Sequence, residues 1–581
     1  MCRLCNEESG TSNVDNSLFH PMYEKHQALL EHALVAIQNR GYWSPYSENA
    51  HVYGAGAIEA GRAAFEAFLH AQFYLDQPGV IQRGGAEVSP YGLKLNVRYP
   101  LCAPDALIAA GKAAMPAWAK AGADTRAGVC VEILARLNDK SMEIAHAVMH
   151  TTGQSLVTAF QSGGPHAQDR GLEAIALAYR EMKQVPDATL WKRPHPVHKP
   201  IHMEKTFRIA PRGVALVIAC STFPTWHAYP GLFASLVTGN AVIVKAHPQA
   251  ILPLAITVAV ARATLKEAGF DANLISLLVD EPDALVTREV AVHPEIRIID
   301  YTGNRLFGEW LLQHAQQADL YVETGGVNCI VVDSTDDYEG MLHNLAITLS
   351  LNSGQMKTTP QTLFVSAAGL KVNDDASPDG KVSADEFGLH LAHAIGKFLE
   401  NEEHAVEVLG AIQSPWIEET IERSADVATV LRDSVTLLHP QFPAARVRTP
   451  MLLKVPLDDH AVWMEERCGP ITFIVKTSST AQSLAVVERT IREHGAMTFS
   501  VYSTDANIQQ MAEDVALRVG VALSLNLTDG VYVNQTNGFS DFQGTGANPA
   551  GNACLASSAF VARRFFIVPS RRHLWPMVAD R

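Results

Sequence analysis

Long apolar runs, a dense cysteine pattern, surplus positive charge and internal repeats are all missing from this 581-residue chain. No stretch of about 18 apolar residues occurs, so no membrane-spanning helix is expected. The best candidate, Leu232 to Val244, is broken by Thr238-Gly239-Asn240. No apolar segment of the signal-peptide kind follows Met1-Cys2-Arg3-Leu4-Cys5-Asn6-Glu7-Glu8, so no signal peptide is expected. Eight cysteines at irregular spacing suggest free thiols in a reducing cytoplasm rather than a disulfide frame. Cys2 and Cys5 form a CxxC, but structural zinc needs four ligands and no second pair follows nearby. A mobile leader and no metal are expected. A net charge of −15 and a pI near 5.8 disfavour nucleic acid and anionic membranes as partners. A small anionic ligand, steered locally, remains open.

Hydrophobic residues make up 47% and charged residues 18%, which marks a globular chain long enough for two or three domains. The first 190 residues read mostly as helix, notably Pro104 to Ala123 and Arg126 to His150, with Pro116 placed to kink or split the first. Val185 to His202, carrying Pro186, Pro194, Pro196 and Pro200, reads as a connector or exposed extended arm. The cluster Gly54-Ala55-Gly56 with Gly61 misses GxGxxG because Glu59 takes the third glycine position, and it reads as a turn before a helix. From Gly213 short apolar runs alternate with amphipathic stretches. Strands are predicted at Val214–Ala219, Ala241–Val244, Leu274–Val279, Arg297–Tyr301 and Leu320–Val322. Helical stretches such as Pro253 to Ala268, closed by Gly269, separate them. The expected fold is therefore α/β, with a parallel sheet covered on both faces and ligands bound beyond the carboxyl ends of the strands. A second α/β segment runs from Glu323 to about Gly551, with Lys371 to Asp385 as a loop insertion. Ala559 to Pro569 reads as a strand.

Several residues carry chemistry by position alone. Glu323 ends an apolar run and precedes Gly325 and Gly326. A partly buried carboxylate there has a raised pKa and serves as a base, or else it caps the strand. Lys245 closes a predicted strand and can reach a ribose, or it is a solvated lysine. Asn304 opens a helix after Gly303, so backbone N–H groups there can face a pyrophosphate; asparagine is equally a good N-cap.

Taken in order, the motifs resemble the aldehyde dehydrogenase family. Glu323-Thr324-Gly325-Gly326 matches Glu-x-Gly-Gly. Ser353-Gly354-Gln355-Met356-Lys357-Thr358-Thr359, 34 residues on (357 − 323), matches Gly-Gln-x-Cys except at Lys357. Phe223-Pro224 resembles the end of Asn-Phe-Pro. Tyr301-Thr302-Gly303-Asn304 through Gly308 resembles Thr-Gly-Ser-x-x-x-Gly, and Glu465-Glu466-Arg467-Cys468-Gly469-Pro470 resembles Glu-Glu-x-Phe-Gly-Pro. Within that superfamily, His166-Ala167-Gln168-Asp169-Arg170, Phe223-Pro224-Thr225-Trp226, Asp333-Ser334-Thr335-Asp336-Asp337 and Gly544-Thr545-Gly546-Ala547-Asn548-Pro549 are similar to the phenylacetic acid degradation (PaaN-type) group.

The resemblance implies a Rossmann-type cofactor domain, an α/β catalytic domain and a small β oligomerisation arm. Its boundaries would be 1–196 for the N-terminal helical part of the cofactor domain, 197–212 for the arm, 213–322 for the NAD(P)-binding domain, 323–551 for the catalytic domain and 552–581 for the C-terminal oligomerisation strand. It implies Glu323 as base, position 357 as nucleophile and Thr222 as the oxyanion donor. It places Lys245, Gly303, Asn304 and Glu466 on the cofactor, with Cys468 where a phenylalanine normally meets the nicotinamide. Lys245-Ala246-His247-Pro248 lacks the carboxylate that usually follows the lysine, so His247 can approach a 2′-phosphate and NAD and NADP both stay open. The implied substrate is a semialdehyde of aromatic acid catabolism, with a coenzyme A link open, and the implied assembly is a homodimer or dimer of dimers.

Lys357 upsets that chemistry. A thiolate yields a labile thioester, whereas an amine has an ordinary pKa of about 10.4 and would yield an inert amide. The expectation is a Lys357–Glu323 ion pair and a chain nearly silent as a conventional aldehyde dehydrogenase. Two alternatives stay open: non-redox chemistry by Lys357 and Glu323, and a cofactor-binding homologue without turnover.

Overall fold

The computed structural model describes residues 20–197, 199–373, 380–532 and 539–574. Cys2 and Cys5 lie outside them. Two sheets organise the rest. Five fully parallel strands run in the order Ile275–Leu278, Ala241–Lys245, Val214–Ile218, Ile296–Thr302, Asp319–Glu323. These are the predicted apolar runs, each within a residue or two of its expected ends. Helices on both faces bury the first three strands entirely. The sheet starts at its centre. Val214–Ile218 pairs with Ala241–Lys245 on one side and Ile296–Thr302 on the other, so the order reverses there and opens a crevice beyond the carboxyl ends.

The second sheet has seven strands: Thr429–Arg432, Met451–Val455, Ile471–Thr477, Thr362–Ser366, Cys329–Val332, Thr498–Tyr502 and Ala522–Leu525. Only the edge strand Thr429–Arg432 is antiparallel to its neighbour. The chain then crosses back to the first sheet, where Gly551 bridges to Glu323 and the Asn552 side chain accepts the Val322 N–H at 2.7 Å. The Arg564 guanidinium forms a bidentate pair with Asp300 at 2.6 and 2.7 Å, fully buried beneath the crevice.

Five local expectations change. Arg126 to His150 is two helices, Gly122–Asn138 and Ser141–Thr152, parted at Asp139-Lys140. Pro116 neither ends nor splits Pro104–Lys120. The proline-rich connector holds a strand, Ala188–Arg193, paired antiparallel with Ile201–Pro211. Its prolines fall outside the paired residues, so no ladder N–H is lost. The predicted final strand opens instead with a helical turn, Ser558–Ala562, capped by Ser557, and the strand itself is Phe565–His573. It completes a three-stranded sheet with Ile201–Pro211, with Phe565 buried and Phe566 exposed. Lys371 to Asp385 contains the short antiparallel strands Leu370–Val372 and Lys381–Val382, and a capping box at Ser383 starts the next helix. As predicted, Gly54 and Gly56, both at positive φ, turn the chain into the helix Ala57–Glu66.

Candidate active site

The two sheets meet at the Glu323-Thr324-Gly325-Gly326 turn. Glu323 is the last residue of its strand. At Gly325 a Cβ would sit 1.7 Å from a Glu466 carboxylate oxygen, so any side chain there would displace that carboxylate. The opposing turn is just as constrained. Asn352, Ser353 and Gly354 all take positive φ, and a Cβ on Gly354 would meet the Gly469 carbonyl oxygen at 2.5 Å. Ser353 donates its hydroxyl to the Leu409 carbonyl at 3.0 Å, and Asn328 donates to the Lys357 carbonyl at 2.6 Å. Non-glycine residues at positive φ are uncommon and mark a backbone fixed by its surroundings.

That backbone aims Lys357 at Glu323. The ammonium lies 3.3 Å from Glu323 Oε1 and donates to the Glu323 carbonyl at 3.0 Å. His227 Nε2 lies 3.3 Å from the same oxygen, Oε1. Burial alone would raise the Glu323 pKa, as the sequence suggests, but Lys357 and His227 bring it well below the usual range. The expected free base is therefore a carboxylate held between two cations.

The Thr222 hydroxyl is 3.8 Å from the Cys220 sulfur, and the Thr222 carbonyl accepts from the Gln154 amide at 2.7 Å. Gln413 grips the neighbouring Ser221 carbonyl and accepts the Ser221 hydroxyl at 3.0 Å. Its own N–H donates to Gln355 at 2.9 Å, so one glutamine chain ties the loop after Val214–Ile218 to the Lys357 turn.

Among the cofactor candidates, Lys245 is buried and lies 2.7 Å from Asp280 Oδ1, at the end of the adjacent strand. A carboxylate thus pairs with Lys245 from across the sheet rather than from the following residue. Burial, with Lys245 nearby, lowers the His247 pKa to about 4, so its imidazole is neutral near pH 7 and offers a 2′-phosphate no charge. Gly303 and Asn304 lead into the helix Arg305–His314. The Asn304 side chain accepts the Phe307 N–H at 2.9 Å, which is an N-cap and leaves the first amides open to an anion. The Glu466 carboxylate, on a solvent-exposed residue, lies against Gly325, and partial desolvation raises its pKa. Its oxygens are open to ribose hydroxyls. Burial, then Glu466, pushes the Cys468 thiol up to about 12, which makes it inert. These residues fit a dinucleotide lying across the crevice. Among the described residues no metal-ligand cluster occurs and no helix is long and apolar enough to cross a membrane.

The model of the aldehyde dehydrogenase family matches residues 103–526. The chain belongs to this family. The crystal structure of an NAD-dependent aldehyde dehydrogenase from Burkholderia multivorans is 50% identical, with a TM-score of 0.94 over 96% of this chain and all of that one. N-succinylglutamate 5-semialdehyde dehydrogenase from Chromobacterium violaceum is 25% identical over 406 residues, 66% of this chain and 74% of the relative. The Burkholderia lata protein of the same name is 27% identical over 45% of this chain and 50% of its own length. A Thermus thermophilus 1-pyrroline-5-carboxylate dehydrogenase structure, at 18% identity and a TM-score of 0.71, shares the fold. Aldehyde dehydrogenases are oxidoreductases acting on aldehydes, and this chain carries their architecture.

Sequence reading did not single out four residues that the structure brings to this candidate site: Cys220, His227, Asp280 and Gln413. Asp280 had a signal, since it is the first charged residue after an apolar run, as Lys245 is. Cys220 and His227 had none, because what joins them is where a strand stops and the helix Pro224–Val237 starts.

Proposed function

We propose that the chain is an NAD-preferring oxidoreductase of the aldehyde dehydrogenase type whose conventional turnover is suppressed by Lys357. Its substrate is a semialdehyde of aromatic acid catabolism, with coenzyme A as the acyl carrier after ring opening. The likeness to the PaaN-type group supports this, and the curated relatives are themselves named for semialdehydes. The carrying observation is the Lys357–Glu323 ion pair where a thiol and a free base are required.

The residues present account for binding and for the block. A bound nicotinamide would supply the hydride acceptor. Asn304, Glu466 and the Lys245–Asp280 pair would hold the dinucleotide. The Lys357 ammonium neutralises Glu323 and takes the volume an attacking sulfur would use. Its charge also opposes a cationic ring nearby. The exposed β arm supports partnering. Ile201–Pro211 and Phe565–His573 present Phe566 and Val568 outward, and we assign this face to a dimer in a cytoplasmic protein.

Two measurements test the reading. Calorimetry should show NAD binding at least about tenfold tighter than NADP, about 1.4 kcal/mol, since Asp280 and a neutral His247 disfavour the extra phosphate. Equal affinity would overturn the preference. Light scattering should give twice the chain mass, and a monomer would remove the arm's assigned role.

A further inference from the structure

A primary amine in the pocket of an aldehyde-acting family opens a reaction that needs no oxidant. Lys357 Nζ donates to the Glu323 carbonyl at 3.0 Å and lies 3.3 Å from Glu323 Oε1. These contacts take two of the three N–H directions of the ammonium, and the third is where a lone pair stands once a proton has left. The side chains of Lys357 and Glu323 keep 14% and 12% of their surface open to solvent, so a small carbonyl compound can reach the nitrogen. Lys245 differs. Its side chain is 3% exposed, and its nitrogen is closed in by Asp280 at 2.7 Å and the Ala246 carbonyl at 2.6 Å.

We propose that Lys357 is a reversible covalent binding site for aldehydes, which it holds as an iminium ion without any cofactor. The ammonium first loses a proton to solvent. Its nitrogen then attacks the aldehyde carbon, a C–N bond forms, and the carbonyl π pair moves to oxygen. The nitrogen passes one proton to that oxygen, giving a carbinolamine. The hydroxyl takes up a proton equal to the one lost at the start and leaves as water while the nitrogen lone pair closes the C=N bond. The sum is ammonium plus aldehyde giving iminium plus water, with nothing oxidised or reduced, and water reverses it. The proposal rests on reading the pocket as an aldehyde site.

Charge balance favours stopping at the iminium. Its nitrogen keeps the positive charge of the ammonium and one N–H, so the pairing with the Glu323 carboxylate persists. Glu466 and Cys220 also feel the charge at this position and keep it. An amide at the same nitrogen would be neutral and would remove that cation from Glu323. Binding in the pocket raises the local aldehyde concentration at Lys357 above that at an exposed lysine, which sets this site apart from ordinary amine chemistry on a protein surface.

The test uses the full chain, without nicotinamide, and benzaldehyde, which has no α-hydrogen and so undergoes no aldol side reaction. Cyanoborohydride reduces an iminium to a stable secondary amine, and peptide mapping by mass spectrometry then locates the benzyl group. Lys357 should be benzylated at least about tenfold faster than Lys25 and Lys266, which are also ion-paired with carboxylates but are exposed. Its rate should saturate as benzaldehyde is raised, whereas theirs should stay linear. Lys357→Arg keeps the charge beside Glu323 but forms no iminium, so saturable labelling should vanish. Labelling of Lys357 no faster than Lys25, fastest labelling at Lys245, or saturable labelling that survives in Lys357→Arg overturns the proposal, and mapping the parent chain needs no variant to fold. If Lys357→Cys oxidises aldehydes while the parent is not labelled at Lys357, this proposal falls and the oxidoreductase reading stands. If Lys357 is labelled with saturation while no nicotinamide cofactor binds, the reverse holds.

Discussion

Lys357→Cys should raise aldehyde-dependent nicotinamide reduction at least about a hundredfold over the parent chain, on the order of 3 kcal/mol of barrier. Two obstacles disappear together. The ammonium 3.3 Å from Glu323 Oε1 is removed, so the carboxylate loses the cation that does most to hold its pKa down. A thiol also takes the place the amine held, and its acyl adduct is a thioester that water or coenzyme A can release. The supporting structure stays in place, because Asn328 holds the position through the Lys357 backbone carbonyl, not its side chain. Lys357→Ala separates the two effects. It relieves Glu323 but supplies no sulfur, so its rate should stay near that of the parent. Assays across a panel of aldehydes with both variants would check this, and equal rates for Lys357→Cys and Lys357→Ala would mean that sulfur at this position is irrelevant.

Arg564→Met should cost about 3–5 kcal/mol of stability. Arg564 is fully buried and pairs through both terminal nitrogens with Asp300 on the cofactor sheet. It also donates to Ser235 at 2.7 Å, and its guanidinium lies 4.1 Å from the Tyr321 ring centre and 4.2 Å from that of Phe560. Methionine keeps much of the volume but strands the Asp300 carboxylate. The double variant Arg564→Met, Asp300→Leu should recover part of the loss, because it removes the unpaired charge. Denaturant midpoints of the parent, single and double variants would show it. A single variant as stable as the parent would mean that the C-terminal strand is not anchored through this pair.

The parallel sheet was legible because each strand is a short apolar run closed by a charge, a glycine or a turn. Lys245 and Glu323 stood out as strand-ending charges in just this way. The arm strand Ala188–Arg193 was hidden by its flanking prolines, although none of them falls inside the ladder. The helix break at Asp139-Lys140 carried no glycine or proline to announce it. The site was legible only in pairs close to a motif. Lys357 opposite Glu323 followed from motif spacing, whereas Asp280 beside Lys245 required the strand order. Cys220, His227 and Glu323 come from a strand end, a helix start and a second strand end, and no periodicity of 2 or 3.6 residues connects them. The raised pKa expected for Glu323 from burial gave way chiefly to Lys357, whose pairing the motif spacing did suggest, and then to His227, which nothing in the sequence announced.

Product analysis of the unaltered chain tests the central claim most directly. The purified protein, saturated with NAD and supplied with aldehyde, should release less carboxylic acid than one equivalent per chain over an extended incubation. Nitrogen at position 357 cannot form an acyl adduct that water releases. Sustained release of many equivalents would contradict the account.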